Sequence, residues 1–282
     1  MASRTTLIRS LRAGLACATA VLPWRIRIEL QRALAVSGTP RDASTYERLY
    51  EAHGQSLPPA LSIGGGDFDR IGRVELGVLL MEGLRPHHTL VDFGCGTARL
   101  GVHAVGALTT GHYIGIDIAE SMLGPAHATL ARRHPEAMVR VQLLKQTEPR
   151  FDLPDASVDM LCAFSVFTHM EHEDSWRYLR DARRVIRPGG RVVFSCLPMR
   201  LAAAREIFLA SATVDPGTRW QSIRNVTTTE DFMTAIAEMA GWRVVRWYQG
   251  DEANIVTPGE ATLQALGQST CVLEPSANTA PR

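Results

Sequence analysis

The chain has 282 residues, of which 45% are hydrophobic and 21% charged, with a formal charge of +1. That composition suits a folded protein of one large domain, or one domain with an appendage, and gives no global electrostatic drive toward nucleic acid. Five cysteines without a CxxC pair or a Cys/His ligand spacing exclude a disulfide framework and a structural zinc, and point to a reducing compartment.

In chain order, Met1 to Leu34 carries six arginines and a single acid, Glu29. Leu7, Leu11, Leu15 and Leu22 recur at near-helical spacing and predict an amphipathic helix ended near Pro23, with a short second helix on Ile26, Leu30 and Leu34. The apolar stretch Ala13 to Leu22 is about half the ~20 residues of a membrane span, which rejects a transmembrane helix. Three readings stay open: a helix on an anionic membrane surface, a cleaved targeting peptide, or a packed lid, oligomer contact or tail. Residues 1–45 are therefore taken as a basic helical extension, 46–86 as linker and helical cap, and 87–282 as the main domain. Within this layout Thr39 to Gly66, with Pro58, Pro59 and the run Gly64-Gly65-Gly66, is expected to be linker and loop. A helix using Ile71, Val74, Leu76, Val78, Leu79 and Leu80 follows.

After Pro86 the pattern changes to short apolar runs: Leu90–Phe93, Tyr113–Ile118, Val139–Leu144, Val158–Phe164 and Val192–Cys196, then Trp242–Tyr248 and Thr270–Leu273. Helix-length segments, among them Glu120–Arg133 and Glu171–Arg187, separate the first five. Strands alternating with helices imply βαβ units and a parallel sheet covered on both faces. Arg187-Pro188-Gly189-Gly190 is a helix stop before the fifth run. The last two runs lack an intervening helix and suit an antiparallel pair at one edge.

Val91-Asp92-Phe93-Gly94-Cys95-Gly96-Thr97-Ala98-Arg99-Leu100 places a glycine turn between the first strand and a helix, where open α/β sheets bind ligands. Gly94 and Gly96 let the backbone approach a ligand, and Cys95 belongs to the same turn. A dinucleotide fingerprint needs a third glycine where Arg99 stands, and Asp92 is a poor neighbour for a pyrophosphate. The same acid suits the ammonium of an amino acid tail, so the turn favours S-adenosylmethionine over NAD. Asp117 ends the second strand about 20 residues further on, the spacing of an acid that accepts from ribose hydroxyls. Its alternative role is to cap the next helix.

The pieces VDFGCGTAR, YIGIDIAESML, FDLPDASVDMLCAFSVFTHM and YLRDARRVIRPGGRVVF resemble the class I S-adenosylmethionine-dependent methyltransferase superfamily over roughly Leu61 to Glu274. The last two, and Ile63-Gly64-Gly65-Gly66-Asp67-Phe68, are similar to bacterial methyltransferases acting on small molecules and glycans. The resemblance implies an α/β fold: a doubly wound, mostly parallel, seven-stranded, Rossmann-like sheet with a reversed last strand, here with a helical N-terminal extension. It implies that Asp92, Gly94 and Gly96 hold the methionine portion and Asp117 the ribose. Ile118 and Met122 would flank the adenine, or serve as core residues, and Ser165 would line the methyl-transfer site. Two positions depart from the family pattern. Ala98 replaces a third glycine, which is tolerated if that residue is already helical. Lys145-Gln146-Thr147 lacks the acid that meets the adenine amino group, leaving Gln146 as its substitute.

Methyl transfer is an in-line displacement in which the cofactor supplies the leaving group, so the protein positions the acceptor and excludes water. Alignment contributes on the order of 7–11 kcal/mol, and a general base roughly 10²- to 10⁴-fold for a hydroxyl acceptor. His169, just beyond the fourth strand, is the candidate base, with a structural histidine as the alternative. His169 and His172 beside Glu171, Glu173 and Asp174 also admit a metal site, but the acids fit the first turn of a helix, and no metal is expected. Ala163-Phe164-Ser165-Val166 stands where methyltransferases of nucleic-acid bases carry Asn/Asp-Pro-Pro-Tyr/Phe. The expected function is methylation of a small molecule or glycan, on oxygen rather than nitrogen, with a non-catalytic cofactor-binding scaffold as the alternative. The acceptor pocket is expected from Arg41–Phe68, Pro198–Asn225 and Gln249–Glu260, with Arg219, Trp220 and Arg224 as lining candidates. The expected location is the cytoplasm, with peripheral membrane contact through the basic helix and the oligomeric state left open.

Overall fold

Apolar runs covered on both faces become the central strands of a computed structural model that describes residues 43–56 and 67–277. The basic segment before residue 43, with its three readings, and the Ile63–Gly66 run lie outside the described residues. The strands are β1 Thr89–Phe93, β2 His112–Asp117, β3 Val141–Lys145, β4 Val158–Ala163 and β5 Ile186–Pro198, then β6 Thr227–Thr228, β7 Trp242–Tyr248 and β8 Ser269–Pro275. The helices are α1 Ala43–Ser56, α2 Phe68–Met81, α3 Gly101–Ala107, α4 Glu120–Arg133, α5 His172–Val185, α6 Ala202–Ala212 and α7 Glu230–Met239.

The strand order is β3-β2-β1-β4-β5-β8-β7, with β6 paired to β5 off this path. β1 to β5 run parallel, and β8 lies antiparallel between β5 and β7. The chain winds outward through β2 and β3, then returns past β1 to β4, so a crevice opens where the order reverses. Alternate strand residues feed two cores, as a sheet buried on both faces requires. Val91, Phe93, Leu161 and Phe194 pack with Tyr178 and Leu179 of α5 and Met233 and Ile236 of α7. Leu90, Tyr113, Met160 and Val193 pack on the other side with Val78 and Leu79 of α2, Val105 of α3 and Leu130 of α4. Free cysteines Cys95, Cys162, Cys196 and Cys271 are buried. No helix among the described residues is long and apolar enough to cross a membrane.

Four sequence expectations are corrected. Ala43–Ser56 is helical, not linker. Val139 sits exposed in a 3₁₀ turn, Pro135–Arg140, so β3 begins only at Val141. An eighth strand, the two-residue β6, joins the sheet; so short a polar pair has no periodicity to reveal it. Arg187-Pro188-Gly189-Gly190 does not stand between helix and strand. α5 ends at Val185, β5 starts at Ile186, and the four residues form a bulge within it: Val158 pairs with Ile186, but Met160 pairs with Arg191. The bulge absorbs the proline's missing donor and the left-handed φ of Gly189, +82°.

Gly190 fits this bulge because a Cβ there would lie 2.7 Å from the backbone oxygen of Asp159. Gly190→Ala therefore forces β4 and β5 apart and costs about 1–3 kcal/mol, the range of an overpacked core site. A calorimetric scan should show a melting temperature several degrees lower; an unchanged midpoint would contradict the tight fit.

Candidate functional site

The glycine turn is fastened to the end of β2 by backbone and side chain together. The Gly94 and Cys95 amides both donate to the Ile116 carbonyl, at 2.7 and 3.0 Å. Asp117 then accepts from the Gly96 amide on Oδ2 at 2.9 Å and from the Ala119 amide on Oδ1 at 3.0 Å. Burial raises the Asp117 pKa first of all, and these backbone donors pull it back. Each carboxylate oxygen keeps a second lone pair, so the group can still accept from a pair of ligand hydroxyls. The cap role and the ligand role are thus compatible in one side chain.

Gly94 and Gly96 adopt φ of +73° and +52°. A Cβ on Gly94 would collide with Cγ2 of Val166, so the loop after β4 packs directly across the turn. Ala98 is not helical, as its substitution for glycine suggested, but left-handed at φ +66° and fully buried. The turn makes a third left-handed demand there, and alanine meets it at a steric cost. Cys95 contributes its backbone; a Cβ on Gly115 would lie 3.0 Å from its sulfur, which points into the core.

Asp92 lies beneath the turn. Its Oδ2 accepts from the Tyr113 hydroxyl at 2.7 Å, and its Oδ1 accepts weakly from the Cys162 thiol at 3.7 Å. Burial pushes its pKa up to about 7, and no ion pair to it is present among the described residues. It is a buried acid short of a cation. Ile118 is half-buried beside Asp117, and Met122 is buried under α1, where Gly54 approaches its methyl. Gln146 is committed to its own loop: Nε2 donates to the Glu148 carbonyl at 3.1 Å and Oε1 accepts from the Asp152 amide at 3.2 Å.

His169 and Ser165 stand on the loop after β4. The His169 Nδ1 is 2.8 Å from the Arg224 carbonyl, an acceptor only, so Nδ1 carries the proton and Nε2 of the neutral ring is the acceptor. Burial lowers its pKa, opposed by that bond to Arg224. The segment holding Arg224 is stitched down by the Val226 amide on the Thr168 carbonyl at 2.6 Å. Arg224 reaches to 4.0 Å from Glu171, while Arg219 turns back to the Val214 carbonyl at 3.2 Å. The Trp220 side chain lies outside the described ones. His172 faces Phe232, with ring centroids 4.8 Å apart, and Asp174 accepts from Tyr46, so the two histidines and the acids do not converge. Among the described residues no group of three His, Cys, Asp or Glu is placed to hold a metal.

Sequence reasoning missed α1. Tyr46 accepts from the Glu171 amide at 3.0 Å and donates to Asp174 at 3.1 Å. Glu47 pairs with Lys145 at 2.7 Å, and Glu51 accepts from the Ser121 amide at 3.2 Å. The helix therefore bridges the loop after β4, the end of β3 and the start of α4. Tyr50 stands edge-on to His169, with centroids 6.1 Å apart, and its pKa is raised by burial and then by the charge of Asp117. The repeat of Tyr-Glu at 46–47 and 50–51, four residues apart, was the available signal.

Comparison with known proteins agrees with this geometry. Residues 91–192 match the family model of a methyltransferase domain. The malonyl-[acyl-carrier protein] O-methyltransferase of Methylococcus capsulatus is 32% identical over 125 residues, 43% of each chain. The 27-O-demethylrifamycin SV methyltransferase of Amycolatopsis mediterranei is 32% identical over 39% of this chain and 38% of its own. The chain thus spans less than half the length of these curated relatives. Magnesium protoporphyrin IX methyltransferase of Synechocystis, solved with S-adenosylhomocysteine, shares the fold at a TM-score of 0.53 and 17% identity, over 83% of this chain and 93% of that one.

A doubly wound sheet whose second strand ends in an acid clamped to a glycine turn defines a nucleoside-cofactor domain. Residues 91–192 thus match a methyltransferase domain, on a fold shared with the Synechocystis methyltransferase.

Asp92 gives a pH signature. Unfolded, an aspartate ionises near pH 4; folded, this one keeps its proton to about pH 7. The native state binds more protons in that window, so the contribution of Asp92 is full below pH 4 and is lost as pH rises through 7. Between pH 5 and 8 the ligand-free protein should lose more melting temperature than Asp92→Asn does; parallel losses would contradict the assignment.

Proposed function

We propose that the chain transfers the methyl group of S-adenosylmethionine to a hydroxyl of a small molecule. The observation that carries this reading is the double tie of Asp117 to Gly96 and Ala119, which presents the remaining lone pairs of a buried carboxylate where the strand order reverses. The donor set fits the cofactor: an acid for a diol, an uncompensated carboxyl at Asp92 for an ammonium, and glycines where a Cβ would obstruct. Ile118 and Met122 offer apolar contact beside Asp117, and Gln146 shapes the loop next to them through its internal bonds. When bound, S-adenosylmethionine supplies an activated methyl on a cationic sulfur. Both curated relatives are methyltransferases, and the one that acts on 27-O-demethylrifamycin SV supports a small-molecule acceptor.

In this reading His169 is the base. The Arg224 carbonyl holds the Nδ1 proton, which leaves Nε2 free to take the proton of the acceptor hydroxyl. Burial keeps the ring neutral at pH 7. Tyr50 and the 224–226 segment cover it from two sides and exclude water.

Methyl-labelled cofactor offered with a panel of hydroxyl-bearing small molecules tests the proposal. The wild-type protein should label at least one, and His169→Gln should lower turnover by about 10²- to 10⁴-fold with cofactor affinity retained. The wild-type rate should fall on the acid side of the ordinary histidine range as Nε2 protonates. Label on no member of the panel, or full turnover by the variant, would contradict the respective assignment.

A further inference from the structure

Lys145 is the only lysine in the chain, and it ends β3 as the register partner of Asp117. Its ammonium pairs with Glu47 of α1 at 2.7 Å, and that bond is the main reason its pKa is raised. Glu51, one turn along α1, and Glu120, the first residue of α4, add their charges to the same effect. No other ion pair to these three glutamates is present among the described residues. A compact ammonium with three donors suits acids arriving from several directions, where a planar guanidinium pairs best with one. Lys145 is thus a cation shared by two acids of α1 and one of α4.

α1 depends on that cation for its seat. It buries no described side chain completely, so little apolar contact fixes its position. Glu47 and Glu51 lie on one face, four residues apart, and repel each other. Without Lys145 they would also face Glu120 uncompensated. Lys145 and Glu47 are both half-exposed, so their pair adds little to overall stability and acts by selecting one seat for the helix. A second polar tie marks the same seat. Ala119, at the N-cap of α4, offers no side-chain cap, and Glu51 takes the Ser121 amide in its place. The fit is close, because a Cβ on Gly54 would collide with the Ser121 Oγ.

What α1 brings to the crevice acts on His169. Tyr50 stands edge-on to the imidazole, with ring centroids 6.1 Å apart. Burial is the first cause that lowers the His169 pKa, and the charge of His53, three residues beyond Tyr50, lowers it further. The Arg224 carbonyl on Nδ1 opposes both. The cover given by Tyr50 and the charge of His53 therefore act in the same direction, and both depend on where the helix sits.

We propose that Lys145 is a positioning residue for the transfer: shared among Glu47, Glu51 and Glu120, it seats α1 on the ends of β3 and α4 and so sets Tyr50 and His53 against His169. The catalytic consequence rests on the reading of His169 as the base given under Proposed function; the seating of α1 does not.

The test uses the full ligand-free chain and two measurements that need no substrate. Amide hydrogen exchange reads the seat of α1. NMR titration of the imidazoles, with His169→Gln identifying the resonance, reads its effect on the base. In Lys145→Gln, residues 43–56 and the Ser121 amide should exchange about fivefold faster, with the central strands and the melting temperature as in wild type. His169 should titrate at a higher pH, toward the ordinary histidine value, because its cover and the His53 charge are withdrawn together. Lys145→Arg keeps the charge and should restore both readings. Unchanged exchange of α1 or an unmoved His169 titration in Lys145→Gln, or the same changes in Lys145→Arg, overturns the proposal. Faster exchange spread evenly over the domain also overturns it, since Lys145 would then support the fold alone. Full turnover by His169→Gln would instead remove the base reading and the catalytic half of the proposal, with the seating of α1 still decided by the exchange.

Discussion

The site depends on the way the end of β2 grips the turn after β1. Two amides of the turn share the Ile116 carbonyl, and the next residue of β2, Asp117, takes the Gly96 amide. Backbone donors that would otherwise be buried without partners are satisfied in that way. Three alternate left-handed residues, Gly94, Gly96 and Ala98, are the cost of bringing the turn close to the strand. Once it is closed, the crevice between β1 and β4 has a floor of glycine backbone and a wall bearing one buried acid. The loop after β4, which carries Ser165 and His169, can then lie on Gly94 through Val166. Loosening the Asp117 tie would therefore disturb the floor and the covering loop together.

Two polar devices bound the crevice. On one side α1 holds on mainly through side-chain bonds, Tyr46 to the start of α5, Glu47 to Lys145 and Glu51 to the start of α4. Exposed or half-exposed bonds of this kind are individually weak. Their joint effect is to set Tyr50 against His169 rather than to add much stability. On the other side the 224–226 segment pins His169 through the Arg224 carbonyl and Thr168 through the Val226 amide. A neutral, oriented imidazole follows from that bond and from burial.

Much of the sheet was legible because a strand buried on both faces leaves an apolar run with no helical period. β1 spans its run at Leu90–Phe93, and α4 coincides with Glu120–Arg133. The glycine turn and Asp117 were legible because their spacing is imposed by the crossover between β1 and β2. The misses have physical reasons. α1 carries no apolar stripe, since its inward face is Tyr, Glu and Gly meeting polar partners, and the nearby prolines and glycines dominated the composition. Pro188-Gly189-Gly190 reads as a stop in any sequence, and only the pairing of Val158 with Ile186 and of Met160 with Arg191 across β4 and β5 makes it a bulge. Ala98 looked like a helical alanine because sequence carries no sign of φ.

The most direct measurement of the central claim is the melting temperature of the protein with saturating S-adenosylhomocysteine beside saturating NADH, repeated on Asp117→Ala. Ligand at about 100 times its dissociation constant stabilises by roughly 2.7 kcal/mol, several degrees for a domain of this size. The account predicts that rise for S-adenosylhomocysteine with the wild-type protein, none for NADH, and loss of the rise in Asp117→Ala. A rise with NADH alone, or an undiminished rise in the variant, would contradict the assignment of the crevice and of the acid that closes it.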